Sequence, residues 1–183
     1  MLTAIYYPMT ENKNIWIETG YQIFALYGES GLKIETLAKK VGISKSSFYH
    51  HFADLEFFMD ALLKFHLQQS QTIADKEKAV QTIDPELIHV LVEHKTDLLF
   101  NRQLRFNQHD KRYKETLNRS NQIIGNEFVI IWAKDLALSQ KKLESLFELA
   151  LENFFLQINA ENLTYEWLSA YFTNLKRIAQ NFE

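Results

Sequence analysis

The sequence contains no cysteine. That excludes a disulfide framework, a thiolate nucleophile and any cysteine-ligated metal site. Proline is nearly missing, with two residues, and glycine is scarce, with five. Short strands joined by tight turns need more of both, so the scarcity disfavours all-β architectures and points to helices. No apolar run approaches the ~20 residues that cross a bilayer, and the opening "MLTAIYYPM" lacks the basic segment of a secretory signal. A cytoplasmic chain with no membrane partner is the expectation. Met9 opens "MTENKNIW" like a start of its own, so residues 1–10 are expected to form a flexible arm whose first eight residues are not necessarily native. A positive excess is also missing. The net charge of −3 argues against indiscriminate binding to nucleic acid.

What is present is apolar and helical. Of 183 residues, 46% are hydrophobic and 14% aromatic, enough to bury a sizeable core. A first helix is expected over about 12–27, with Trp16, Ile17, Gly20, Ile23, Phe24 and Tyr27 on one stripe. Gly20 inside it costs helix stability, which suggests a close helix contact there. A second, short helix is expected over 34–40, followed by a tight turn at Gly42. Ser44 then caps a third helix ending near His51, and Asp54 caps a long fourth. Asp84-Pro85, an acid before a proline, signals a fifth helix that carries Leu87, Ile88, Leu91, Val92, Leu98 and Leu99. A short sixth in "NRQLRFNQHDKR", a seventh over 110–133 weakened at Gly125, an eighth capped by Ser139 and a ninth capped by Thr164 complete an all-α chain of about nine helices.

One window breaks the acidic average. Between Lys33 and His51 stand four lysines (Lys33, Lys39, Lys40 and Lys45) against a single acid, Glu35. It contains "VGISKSSFYHHF", where Phe48 and Phe52 are four apart and point inward on a helix. Lys45, Ser46, Ser47, Tyr49, His50 and His51 are left around the exposed and flanking faces. Hydroxyls, imidazoles and an ammonium are groups that reach base edges and phosphates in a major groove. A short helix, a glycine turn and a Ser-capped helix together make a helix-turn-helix pattern.

"WIETGYQIFALYGESGLKIETLAKKVGISKSSFYHHFADLEFFMDALL", Trp16 to Leu63, resembles the N-terminal DNA-binding domain of the TetR-type (tetracycline-repressor-like) transcriptional regulators. Phe24 and Gly28, Leu37-Ala38, Gly42-Ile43-Ser44 and Tyr49-His50-His51-Phe52 carry the resemblance. It implies a helix-turn-helix domain over 11–53 and a helical effector-binding and dimerisation domain over 54–183. It also implies a homodimer on a palindromic double-stranded DNA operator, in the role of a repressor. Carried over by position, Lys45, Ser46, Ser47 and His50 sit near bases, Tyr49 and His51 on phosphates, and Lys33 on the backbone. Ser44 can serve as cap and contact at once. Four departures from the family's habit stand out: Ser46-Ser47 replace Gly-Thr, Lys33 replaces Thr or Ser, Leu55 replaces Lys, and Gly20 replaces Ala. They imply modest non-specific affinity and an unusual operator.

The family's effector site implies a small-molecule pocket between the fourth helix and later ones. Candidate walls are Phe65, His66, Phe100, Phe106, Tyr113, Phe128 and Trp132, which suit an apolar or aromatic effector. Two broad apolar faces near the C-terminus suggest dimer contacts at Phe147, Ala150, Phe154, Trp167, Tyr171, Leu175 and Ile178. The alternative is that these faces fill the chain's own core. No catalytic set, metal site or cofactor motif is evident: His89 and His94, five apart, fall on different helix faces. An enzyme is therefore not expected. The competing reading is a helical interaction protein of this fold that acts through a protein partner, with weak or no DNA binding.

Overall fold

The structure is a computed structural model. It describes residues 9–136 and 140–180, and their side chains except at 9–11, 126–129, 132–136 and 140–146. Nine α-helices and no strand occur among the described residues: α1 (Met9–Tyr27), α2 (Ile34–Val41), α3 (Lys45–His51), α4 (Leu55–Glu77), α5 (Ile88–Glu93), α6 (Lys95–Phe106), α7 (Lys111–Leu136), α8 (Gln140–Gln157) and α9 (Tyr165–Gln180).

Local chemistry sets the first four. Gly42, at φ 75°, takes the left-handed conformation that a side chain resists, and its N–H closes α2 on the Ala38 carbonyl at 2.9 Å. Phe48 and Phe52 of α3 are buried as their spacing predicts. The Phe48 ring packs 5.4 Å from Trp16 and 5.2 Å from Phe58. Burying each phenyl ring contributes roughly 2–3 kcal/mol. The Asp54 carboxylate caps α4, accepting from the N–H groups of Glu56 (2.8 Å) and Phe57 (3.0 Å). Gly20 makes the expected close contact, because a Cβ built there would lie 2.3 Å from Phe58 Cζ. Its lack of a side chain lets α1 and α4 meet.

Above this unit, α4 packs along α7 and α1 along α6. An aromatic cluster joins α1 to the rest. Tyr21 stacks on Phe100 at 4.3 Å, His66 stacks on Phe100 at 4.7 Å, and Phe24 reaches Phe100 and Tyr113. Phe65 meets Tyr21 edge-on at 5.0 Å.

Three departures from the sequence reading have physical causes. Asp84 has the extended backbone of a cap position (φ −111°, ψ 121°), but its carboxylate accepts from Ser169 Oγ (2.6 Å) and Tyr165 Oη of α9 instead of capping the following turn. A π-helical turn over Ile83–Leu87 leads directly into α5 at Ile88. That helix stops at Glu93, because His94 (φ −94°, ψ 26°) leaves helical geometry while its ring bonds to Lys76 and Asp97. Leu98 and Leu99 thus belong to α6, and "NRQLRFNQHDKR" is the end of α6 and the turn after it. Finally, Tyr27 is exposed at the end of α1, whereas Tyr21 is buried by polar partners. At the C-terminal side, Thr164 Oγ1 caps α9 by accepting from Trp167 N (3.3 Å). Ser139 lies outside the described residues.

Candidate functional site

The helix-turn-helix presents two chemically distinct faces. Phe48 is fully buried, whereas Ser44, Lys45, Ser46, Tyr49 and His50 are exposed and Ser47 and His51 half-buried. Tyr49 is 56% exposed, its ring edge-on to Phe48 at 5.6 Å, so it packs with one flank and offers the other with its hydroxyl. Lys33 is exposed in extended backbone just before α2.

Hydrogen bonds modify these roles. The Ser44 side chain makes no capping bond; its Oγ pairs with Ser46 Oγ at 2.9 Å, and only its carbonyl meets the Ser47 N–H. Lys45 Nζ is bound to Glu35 Oε1 at 2.8 Å on the surface, an exposed pair of small net value that a phosphate could displace. Partial burial, then the neighbouring charges of Lys13 and His50, lower the His51 pKa below its usual value of 6.5. Lys13 of α1, which lies over the Phe52 ring at 5.6 Å, therefore adds a cation beside the end of α3 that the motif did not indicate.

The C-terminal helices enclose a cavity of about 120 Å³ between α4, α6, α7, α8 and α9. None of the described pocket candidates lines it. Phe65, His66, Phe100 and Tyr113 are instead packed in or against the aromatic joint to α1, and Phe106 is 45% exposed with Arg102 over its ring. The side chains of Phe128 and Trp132 lie outside the described residues. Part of the wall comes from residues expected at a dimer contact: Phe147, Ala150, Phe154, Tyr171 and Leu175. The surface groove between α8 and α9 takes Trp167 and Ile178 together with Tyr171 and Leu175.

The cavity's polar groups were not singled out from sequence. Glu77, Asp97 and Asn101 stand on its wall and are all buried. Their signal was present as polar residues on otherwise apolar stripes: Glu77 follows His66, Ser70 and Ile73 on α4, and Asp97 and Asn101 are four apart on the buried face of α6.

Asp97 links this cavity to α1. Tyr21 Oη donates to Asp97 Oδ1 at 2.7 Å, and His94 Nδ1 lies 2.8 Å from Asp97 Oδ2. An ammonium only donates, so Lys76 Nζ, 2.9 Å from His94 Nε2, makes that nitrogen the acceptor and puts the His94 proton on Nδ1, toward Asp97. Tyr21 has spent its one proton, so His66 Nδ1, 2.7 Å from Tyr21 Oη, is the donor of that pair. Burial pushes the His66 pKa down to about 4, against a smaller upward pull from Asp97. Burial first, then Asp97, drives the Tyr21 hydroxyl well above its usual range. Two side chains, Tyr21 and His94, thus meet on the Asp97 carboxylate, and each is backed by a group of α4, His66 behind Tyr21 and Lys76 behind His94.

Among the described residues, no group of three or more His, Asp or Glu side chains could hold a metal ion, and no helix is long and apolar enough to cross a membrane.

Comparison with known proteins agrees with this geometry. No curated protein matches the sequence. Solved structures do. A protein described as a TetR-family transcriptional regulator from Rhodococcus sp. is 16% identical, covering 92% of this chain and 98% of its own, at a TM-score of 0.63. A tetR-family transcriptional regulator from Streptomyces coelicolor is 14% identical over 97% of this chain and 85% of its own, at 0.60. The multidrug binding protein EbrR, solved with proflavin, is 19% identical over 90% of this chain and 99% of its own, at 0.52. At such identities these likenesses show the shared fold. Residues 17–62, which hold α2, α3 and the start of α4, match the sequence family described as "Bacterial regulatory proteins, tetR family". Over residues 17–62 the chain is thus similar to the bacterial regulatory proteins of the tetR family, and along most of its length it shares the fold of solved tetR-family structures.

Proposed function

We propose that the protein is a ligand-responsive transcriptional repressor that binds a palindromic operator as a homodimer, and that it is not an enzyme. The observation that carries this reading is the two-faced α3, with Phe48 and Phe52 sunk in the core while Lys45, Ser46, Tyr49 and His50 stand in solvent and Ser47 is half-buried beside them. Each subunit would set α3 in the major groove, with Lys33 and His51 on the flanking backbone. Two such helices grip together only when about one helical turn (~34 Å) apart. Dimer contacts are assigned to the α8–α9 surface, where Leu149, Leu156 and Ile178 are exposed beside Trp167 and Tyr171. The domains would divide after residue 53, as the sequence suggested.

The effector would occupy the cavity, and Asp97 supplies its connection to DNA. Any displacement of Asp97 is felt by Tyr21, on the helix that scaffolds α3, and shifts the population of DNA-competent dimers. That the structurally similar EbrR is a multidrug binding protein solved with proflavin supports a small-molecule effector. Selection from a random duplex pool followed by sequencing is the test. Enrichment of an inverted repeat with half-sites one turn apart is expected, and a pool that stays random refutes the proposal.

The second reading, an interaction protein with little DNA affinity, is favoured by Leu55 and Phe57. They are exposed at the start of α4, where a phosphate-binding lysine is usual in the resembling family. A protein partner retained at salt that abolishes DNA binding would select it.

A further inference from the structure

The polar groups on the cavity wall are engaged elsewhere, and this fixes the class of occupant, taking as given the reading that an effector binds there. Asp97 has both oxygens held, Oδ1 by the Tyr21 hydroxyl at 2.7 Å and Oδ2 by His94 Nδ1 at 2.8 Å. Asn101 donates from Nδ2 to Ser120 Oγ at 3.2 Å, and its Oδ1 is covered by surrounding atoms. Glu77 is 1% exposed, its carboxylate oxygens are covered, and it has a partner of its own. The Tyr171 hydroxyl donates to the Ala150 carbonyl at 2.9 Å, which spends its one proton. Asn121, half-buried one turn before Gly125 on α7, is the remaining polar residue of the described lining.

The rest of the described wall is hydrocarbon, with Ile73, Leu91, Leu98, Ile124, Phe154 and Phe172 among its residues. The space measures about 120 Å³, and an apolar cavity of roughly 150 Å³ lined by such side chains stays dry and takes up benzene. An ion that entered would give up its hydration and meet no open counter-charge or converging set of hydrogen bonds. The Asp97 carboxylate does not recruit a cation, because its two donors already answer its charge. One amide, that of Asn121, can satisfy a single neutral polar group but not a charge. A neutral ring loses little on leaving water and gains the dispersion contacts that the empty space lacks.

We infer that the cavity binds a neutral, apolar molecule about the size of one aromatic ring, held by shape and dispersion and not by charge. Cations and anions built on the same ring are excluded.

Toluene, benzylammonium and benzoate, similar in size, test this. Each is titrated into the full chain with its isoleucine methyl groups labelled for NMR, so that Ile73 and Ile124 report from the wall. Toluene is expected to shift both signals to saturation and to raise Tm. Each ion is expected to bind roughly tenfold or more weakly. Ala150→Leu puts a larger side chain on the wall and is expected to abolish toluene binding, with a cooperative circular dichroism melt as the check on folding. Should that variant not fold, the three-compound series alone decides. No toluene-dependent shift, an ion that binds as tightly as toluene, or undiminished toluene binding by folded Ala150→Leu overturns the inference. Operator selection is scored separately, so a protein that selects an inverted repeat but prefers an ion loses only this inference. One that binds toluene but selects no DNA loses the regulator reading.

Discussion

Gly20→Ala isolates the contact between the first and fourth helices. In an unencumbered helix the change gains about 1 kcal/mol, and alanine is the residue usual at this place in the resembling family. Here the added Cβ would sit 2.3 Å from Phe58 Cζ and 2.6 Å from Cε1, well inside contact distance. Phe58 is fully buried and cannot yield freely, because its ring rests 5.2 Å from Phe48 and 4.8 Å from Phe52. Overpacking of this kind costs typically 1–3 kcal/mol, and a clash this short against an immobile ring belongs at the top of that range. The net expectation is a loss of roughly 1–2 kcal/mol, or a fall of about 2–8 °C in Tm for a chain of this size. Circular dichroism melts of wild type, Gly20→Ala, Phe58→Leu and the double variant measure it. The smaller Leu should relieve the clash, so Gly20→Ala should cost much less in the Phe58→Leu background. A higher Tm for Gly20→Ala alone refutes the packing argument.

Three further outcomes follow from the buried polar groups and the cavity. His66 titrates near 4 when folded and near 6.5 when unfolded, so the unfolded chain binds more protons between these values. Its contribution is complete above about pH 6.5 and falls by about 3 kcal/mol toward pH 4. Urea midpoints over that range should show the slope, and a His66→Gln variant that keeps it unchanged contradicts the assignment. Tyr21→Phe strips Asp97 Oδ1 and His66 Nδ1 of a shared partner and should cost roughly 2–4 kcal/mol in urea unfolding; a cost below about 0.5 kcal/mol is incompatible with the network. Gly125→Ala meets no neighbour and should raise stability by about 0.5–1 kcal/mol through helix propensity, so a lower Tm argues against a cavity at that point.

The helix-turn-helix was legible because its signals are local. A left-handed glycine, a capping aspartate and two phenylalanines four apart each act within one or two turns, and all reappear in the structure. The cavity was not legible, because which aromatics line it depends on how helices distant in sequence meet. Phe65, His66 and Phe100 have the composition of a ligand wall, yet Tyr21 inserts among them and makes a joint. Phe147 and Phe154 read as a subunit contact, yet α8 turns them inward. Asp84-Pro85 carries the local form of a cap, but two hydroxyls from α9 claim its carboxylate. Asp97 and Asn101 were visible as polar residues on a buried stripe, and that mismatch between pattern and side chain was the readable sign of the buried hydrogen-bond network.

The claim at the centre is that the solvent face of α3 reads DNA. Fluorescence polarisation of wild type and four variants, each on a selected duplex and on random duplex at moderate salt, tests it most directly. Ser47→Ala and His50→Ala should lose about 1–3 kcal/mol on the selected duplex and little on random DNA, while Tyr49→Phe and His51→Ala should weaken both alike. Equal wild-type affinity for the two duplexes, or four variants that behave identically, would contradict the account.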